Sequence, residues 1–174
     1  RSELMAVKSL IETVTVGAGG AASIEFTAIP QNGSDLILVI SGRTARTGTT
    51  GNLQINVNSD TTASNYSNRQ LYANNGTVYS FSANEYPLPP LNASSTTANT
   101  FSSHSVYISN YTSSNAKSMS LETVTENNSS AVAQDLQAAT WSGTSAITSI
   151  QLKEYASFNF DQYTTASLYK IKYD

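Results

Sequence analysis

The chain has 174 residues, a formal net charge of −3, no cysteine and a single histidine. Only 12% of its residues are charged, against a usual fraction of about 25%, whereas 27 Ser, 21 Thr and 16 Asn fill 64 of its positions. These numbers exclude a disulfide framework, a thiolate nucleophile, a cysteine or His-pair metal site and a basic surface for nucleic acid. We therefore predict a folded, non-enzymatic protein that uses no metal or other cofactor and binds no nucleic acid.

The chain is predicted to form one domain, because its length suits a single hydrophobic core. We expect residues 1–9 to form an N-terminal arm and residues 10–174 to form a single β-sandwich domain. The longest uninterrupted apolar run, Leu36–Ile40, is far shorter than the roughly 20 residues of a membrane-spanning helix. The first residues contain no apolar segment typical of a secretory signal. We therefore expect no association with a membrane.

Alternating apolar and polar residues predict the first strands. Leu10–Val16 and Ser23–Ile29 flank the turn Gly17–Gly20, so they form either a hairpin or a corner between two sheets. Asp35–Ser41 is almost continuously apolar, which is typical of a strand buried on both faces or of the central strand of a sandwich. In Leu53–Val57 the apolar residues alternate with amides, which predicts one face in the core and one face in water.

The second half of the chain continues the strand pattern. A short strand, Arg69–Ala73, precedes Asn74-Asn75-Gly76, which is typical of a hairpin turn because Asn and Gly tolerate a positive φ. Five further strands are predicted: Ser103–Tyr111, Lys117–Thr125, Asp135–Trp141, Ile147–Tyr155 and Ala166–Tyr173. About ten short strands separated by Gly and Asn turns predict an all-β fold, an antiparallel and jelly-roll-like β-sandwich.

Two segments are candidates for contact with a partner. The longest predicted loop, Pro87–Thr100, exceeds the usual length of a structureless connection, and such loops often carry contacts. Two arginines border the Gly-Thr loop after the most apolar strand, where each is either solvated or paired with a carboxylate on a neighbouring subunit. The candidate contact residues are Arg43, Arg46, Pro87, Pro89 and Pro90.

No residue pattern indicates catalysis. His104 lies near no marked nucleophile or orienting carboxylate, so we predict a neutral or a surface histidine on a strand. Tyr66 and Tyr111 stand beside Asn, Ser or Thr. That combination suits carbohydrate stacking, protein packing, or simply the end of a strand with the hydroxyl group in water. We assign no catalytic, cofactor-binding or metal-binding residue.

Several segments, in order along the chain, resemble a domain that is widespread among structural proteins of tailed bacteriophages. The resemblance rests on these stretches: Ile11–Ile29 (IETVTVGAGGAASIEFTAI) with Pro30, Leu36–Ile40, Asn65–Tyr72 (NYSNRQLY), Val106–Thr112 (VYISNYT), Trp141–Ile150 (WSGTSAITSI) and Leu168–Ile171 (LYKI). It covers nearly the whole chain, from Leu10 to Tyr173. Lys170 stands where this domain would have glycine, a difference that concerns the packing of the last strand.

The resemblance implies a virion protein of the jelly-roll or sandwich type with no catalytic residue. Such domains serve as head decoration (cement) proteins or as parts of tail fibres and receptor-binding proteins, and several form trimers. We expect a homotrimeric decoration protein on the phage head surface that binds the major capsid protein between capsomers. The alternative is a tail-fibre or receptor-binding module that recognises host-surface carbohydrate. A single β domain with few residues before its first strand favours decoration.

Overall fold

The computed structural model describes residues 6–74, 76–128 and 133–173. Within these ranges the chain is all-β, as predicted, and contains no helix longer than one short 3₁₀ turn at Ala63–Asn65. The strands are β1 (Ala6–Thr15), β2 (Ser23–Phe26), β3 (Asp35–Gly42), β4 (Thr50–Val57), β5 (Tyr66–Asn74), β6 (Thr77–Ala83), β7 (Pro90–Asn92), β8 (Ser102–Ile108), β9 (Lys117–Thr125), β10 (Ala133–Trp141), β11 (Ile150–Glu154) and β12 (Thr165–Tyr173).

The strands form two antiparallel sheets of unequal width. The large sheet has eight strands in the order β1-β12-β3-β8-β9-β10-β5-β6, and the small sheet has four in the order β2-β11-β4-β7. Only β5–β6 and β8–β9–β10 follow one another within the same sheet, and every other connection crosses to the opposite sheet. The fold is therefore an antiparallel β-sandwich, as the strand pattern predicted.

The core lies between the two sheets, on the face of each sheet to which alternate side chains of most strands point. In β9 and β10 the even-numbered residues are exposed and the odd-numbered ones are buried except Thr125, which is the period of two expected of a sheet with one covered face. Leu38, Val106 and Leu121 of the large sheet meet Ile55 and Leu152 of the small sheet, and all five are at most 2% exposed. Burying each such side chain contributes about 1.5–3 kcal/mol.

Two boundaries differ from the prediction. Strand β1 begins at Ala6, which pairs with Tyr173 of β12, so residues 6–9 belong to the sheet and not to an arm. Residues 1–5 of the predicted arm lie outside the described residues. The predicted loop at 87–100 contains β7, the edge strand of the small sheet. Pro90 is the first residue of β7, a place where proline costs no ladder hydrogen bond. With β6 and β7 the described strands number twelve and not about ten.

The sequence predicted β3 to be either a central strand or a strand buried on both faces. The first alternative is confirmed, because β3 lies between β12 and β8 in the large sheet. The alternative, burial on both faces, is wrong because Val39 is 42% exposed on the face turned away from the small sheet. The connection from β1 to β2 is a corner between the sheets and not a hairpin, since β1 belongs to the large sheet and β2 to the small one.

The amide face of β4 was predicted to lie in water, and this prediction is wrong. Gln54 and Asn56 are only 3% and 0% exposed. The Gln54 Nε2 donates to Asn56 Oδ1 at 2.7 Å, and Asn56 Nδ2 donates to Gln151 Oε1 of β11 at 2.9 Å. These buried amides satisfy one another, which removes most of the penalty for taking them out of water.

Candidate functional site

Arg43 follows β3 and acts within the chain itself. Its side chain is buried, with Nη1 donating to the carbonyl oxygens of Thr97 and Thr100 at 3.0 Å and to Thr96 Oγ1 at 2.8 Å. Its Nε donates to Asp161 Oδ2 at 3.1 Å. The guanidinium group therefore fastens the segment after β7 to the segment before β12. Arg43 thus finds its carboxylate within its own chain, and its contact with a partner stays a prediction.

The other predicted contact residues are divided between surface and interior. Arg46 is half-buried, with Nη1 3.8 Å from the buried Glu154 Oε1, and it remains accessible to a partner. The three prolines are buried: Pro87, Pro89 and Pro90. Their loop packs against its own domain and does not extend from it, and the contact of these prolines with a partner stays a prediction.

His104 lies in β8 and is 1% exposed. Its Nε2 is 2.8 Å from Ser102 Oγ, and its Nδ1 is 3.0 Å from Thr123 Oγ1. Since the Ser102 hydroxyl group donates to the carbonyl oxygen of Gly42, Nε2 carries the hydrogen and Nδ1 accepts from Thr123. Burial lowers the pKa of His104 to about 3, so the prediction of a neutral histidine is confirmed. The Ser–His pair is sealed from solvent and contacts no carboxylate, so it has a structural role.

The two tyrosines that the sequence marked for a binding surface are in the core. Tyr66 is 1% exposed, and its hydroxyl group accepts from the Val57 amide at 2.9 Å and donates to the carbonyl oxygen of Asp60 at 3.0 Å. Tyr111 is 0% exposed and donates to the carbonyl oxygen of Pro30. Neither ring is available to a ligand, so the exposed aromatic residues have to be sought elsewhere.

Asp135 of β10 is the buried carboxyl group with the least complete hydrogen bonding in the described part of the chain. It is 1% exposed, Gln137 Nε2 donates to its Oδ2 at 2.6 Å, and its Oδ1 has no partner among the described residues. Burial is the main cause that raises the pKa of Asp135. Asp135 lies directly opposite Tyr72 of β5 in the sheet register.

Asp135→Asn is expected to raise the melting temperature at pH 7 by about 2–4 °C, equivalent to about 1 kcal/mol. The raised pKa means that the folded state favours the protonated carboxyl group, so stability is lost as the pH rises through that pKa. Asparagine is neutral at every pH and avoids this loss. Scanning calorimetry at pH 7 and pH 4 is the measurement. An equal gain at both pH values would contradict the explanation.

The two edges of the large sheet are built differently. On the β1 edge, Lys8 and Glu12 carry charges and a β-bulge falls between Leu10 and Glu12. Charges and bulges are common means of preventing an edge strand from pairing with another chain. The opposite edge is β6, whose sequence TVYSFSA has no charge or proline, pairs with β5 without a bulge and is almost entirely exposed. Within the described residues, β6 is an open edge without such protection.

Beside this edge, the outer face of the large sheet is apolar. We call this surface the outer patch, and it comprises Leu71, Val78, Val124, Leu136 and Ala138. Leu71 and Leu136 are direct cross-strand neighbours, 53% and 43% exposed, and Val78 at the edge is 68% exposed. A shallow depression of about 670 Å³ lies between them, bordered by Arg69 and Glu122.

The inner face of β5 and β6 is open because the four strands of the small sheet cannot cover all eight strands of the large sheet. Three adjoining cavities of about 210, 290 and 320 Å³ form a groove between these strands and the edge of the small sheet. We call it the β5–β6 groove. The residues shared by adjoining cavities are Thr50, Asn52, Gln70, Tyr72, Phe81 and Leu88. The predicted contact loop contributes Leu88 and Pro90 to one wall of the groove.

Neither the outer patch nor the β5–β6 groove was predicted from the sequence, although β6 carries a signal that could have indicated them. In Thr77–Ala83 the residues Val78, Tyr79 and Phe81 fall on both faces of the strand, and no charged residue falls on either. An edge strand with apolar residues on both faces and no charge is unusual for a surface that contacts only water.

Comparison with known proteins gives no match to a protein-family model, to a curated protein or to a solved structure. Within the described ranges, no helix has the length and apolar character needed to cross a membrane. The same residues contain no group of three acidic, histidine or cysteine side chains placed to hold a metal ion. The outer patch, the β6 edge and the β5–β6 groove are therefore the candidate functional surfaces.

Proposed function

We propose that the protein is a structural component of a tailed-phage virion, a decoration protein on the head surface that binds the major capsid protein between capsomers as a homotrimer. The observation that carries the proposal is the unprotected β6 edge with the outer patch beside it. The resemblance of the sequence to phage structural domains supplies the biological setting.

The outer patch is suited to protein contact because its apolar side chains are contiguous. The register places Leu71 opposite Leu136 and Ala73 opposite Val78, so the exposed carbons adjoin across β6, β5 and β10. Contiguous exposed apolar surface bounded by polar residues marks sites of protein interaction. The patch is bordered by one positive and one negative side chain, Arg69 and Glu122, which can orient a partner with little desolvation of charge.

A decoration role also agrees with the scarcity of charge on the surface. Many outward positions in the large sheet are serine or threonine, and some of these hydroxyl groups bond across strands, as Ser67 with Thr140 and Thr13 with Ser167. Such side chains make interfaces without the cost of dehydrating ions. A weak contact repeated at many equivalent positions of a shell gains strength through multivalency.

Val78→Lys is expected to weaken binding to purified shells lacking the protein at least tenfold, because a lysine would have to be desolvated within the contact. The matched control is Val39→Lys, which changes an exposed valine on the same face, five strands or about 24 Å from Val78 and two strands or about 10 Å from the nearest strand of the outer patch. Co-sedimentation with shells measures binding, and analytical ultracentrifugation measures oligomeric state. A wild-type protein that stays monomeric and ignores such shells would refute the proposal.

The alternative, a tail-fibre or receptor-binding module that recognises host-surface carbohydrate, is favoured by the exposed rings on the inner face of β6. A host-cell adsorption assay distinguishes a protein of the phage head from a protein of the phage tail. A tail module added as free protein competes with phage adsorption, whereas a head decoration protein leaves adsorption unchanged.

A further inference from the structure

We propose that the β5–β6 groove is a binding site for a neutral oligosaccharide. This inference concerns a site on the inner face of the large sheet. It goes beyond the proposed decoration role, and it names a site and a ligand class for the carbohydrate-binding alternative. It rests on an aromatic platform, on polar groups along the groove, on a buried acceptor at one end and on the signs of the charges.

The platform consists of Tyr72 and Phe81, which line the groove, and Tyr79, which lines none of the three cavities but lies beside both rings. The centroids of Tyr72 and Tyr79 are 6.2 Å apart with an angle of 30° between the ring planes, and those of Tyr79 and Phe81 are 6.3 Å apart with an angle of 22°. Tyr79 and Phe81 are 46% and 51% exposed. Ring faces carry partial negative charge and attract the C–H groups that cover one face of a pyranose ring. Three similarly oriented rings in a row therefore suit a chain of sugars.

Amide and hydroxyl groups line the rest of the groove. Asn52, Gln70 and Asn74 supply both donors and acceptors, and Thr50 adds a hydroxyl group that does both. Sugar hydroxyl groups also donate and accept, so mixed amide and hydroxyl side chains satisfy them better than ions of one sign. A site with a few polar groups around a mostly apolar platform is the usual composition of a small-molecule pocket.

Asn92 provides an acceptor at one end of the groove. Its Nδ2 donates to Thr100 Oγ1 at 2.9 Å and to the carbonyl oxygen of Glu126 at 2.6 Å, which fixes the orientation of the amide. Its Oδ1 has no partner among the described residues, although Asn92 is 1% exposed and lines the groove. A buried acceptor without a donor costs stability, and a ligand hydroxyl group supplies that donor.

The charges and the length of the groove define the class of ligand. No lysine or arginine is among the described lining residues, whereas Glu85 and Glu126 lie toward opposite ends. An acidic sugar would meet negative charge without a compensating cation, so the ligand is neutral. The groove follows β5 from Asn68 to Asn74, a distance of about 20 Å, which exceeds a single sugar ring.

The test uses isothermal titration of the full chain with maltohexaose, cellohexaose and hexa-N-acetylchitohexaose as neutral probes and hexagalacturonate as the acidic probe. We expect at least one neutral hexamer to bind with a Kd below 1 mM, and the acidic hexamer to bind at least tenfold more weakly. Tyr79→Ala and Phe81→Ala are each expected to weaken that binding at least tenfold, and Tyr79→Phe to retain it.

The matched control is Tyr163→Ala, which removes a tyrosine that is 62% exposed outside the groove and should leave binding unchanged. Thermal melting shows whether each variant remains folded. The proposal is overturned if none of the four probes binds below 10 mM, if the acidic hexamer binds best, or if Tyr79→Ala binds as the wild type does. If Tyr79→Ala loses shell binding and the wild type binds no sugar, the rings belong to a protein contact. That outcome would also overturn the proposal.

Discussion

Arg43→Leu is expected to lower the free energy of unfolding by about 3–5 kcal/mol, because the substitution removes a buried cation from a set of fixed acceptors. The carbonyl oxygens of Thr97 and Thr100 would lose their donor, and Asp161 would lose its ion-pair partner. Urea denaturation at pH 7 measures the loss. Arg43→Lys should be intermediate, since one ammonium group cannot reach all the acceptors that the planar guanidinium serves.

Arg46→Leu is the matched control, three residues along the same segment. Its ion pair with the buried Glu154 is long, at 3.8 Å, and the Arg46 side chain is 35% exposed. Glu154 keeps the backbone amide donors of Asn52, Ala156 and Phe158 in this variant, so the expected loss stays within about 1 kcal/mol. Hydrogen exchange adds a local measurement, because the amides of residues 94–100 should exchange faster in Arg43→Leu and not in Arg46→Leu. Equal losses in the two variants would contradict the role given to Arg43.

Acid is expected to destabilise the protein through His104, by about 2 kcal/mol between neutral pH and pH 5. The folded-state pKa of about 3 lies below the ordinary value of 6.5, so the unfolded chain binds a proton first. The stabilising contribution is therefore complete above pH 6.5 and is lost as the pH falls toward 3. Measuring unfolding free energies of the wild type and His104→Gln from pH 7.5 to pH 5 isolates the contribution.

At each pH, the unfolding free energy of His104→Gln should be subtracted from that of the wild type. The raised pKa of Asp135 gives a pH dependence of opposite sign, but it is common to both proteins and cancels in this difference. The NMR signals of the imidazole ring provide a check that does not depend on the variant's stability. In the wild type they should keep the shifts of neutral histidine down to about pH 4. A titration midpoint near 6.5 would mean that the ring is solvated and would refute the explanation.

Most strand positions could be predicted because a strand with one covered face carries a period-two pattern, whereas β6, with apolar residues on both faces, and the short β7 were missed. The Asn74-Asn75-Gly76 turn was predicted as a hairpin, and Asn74 does pair with Thr77 across it. The same pattern does not reveal whether the polar face of a strand is exposed to solvent. Gln54 and Asn56 have the alternation of a solvated face, yet they are buried because Gln151, far away in sequence, completes their hydrogen bonds.

The candidate site was less predictable for a related reason. Arg43 and its partner Asp161 are separated by 118 positions, so nothing local distinguishes an arginine that fastens its own chain from one that reaches a neighbour. Tyr66 and Tyr72 lie on the same face of β5, but the first is buried and the second lines the groove. That difference depends on where the small sheet ends, which is a property of the whole fold.

The position of β12 has a consequence for how the protein is made. This strand pairs with β1 on one side and β3 on the other, so a late segment of the chain joins two of the earliest ones. Until residues 165–173 have left the ribosome, β1 and β3 lack a shared neighbour and the large sheet is incomplete. Sheets that depend on such distant pairings fold slowly, on the scale of milliseconds to seconds. The complete large sheet therefore forms only after β12 has been translated.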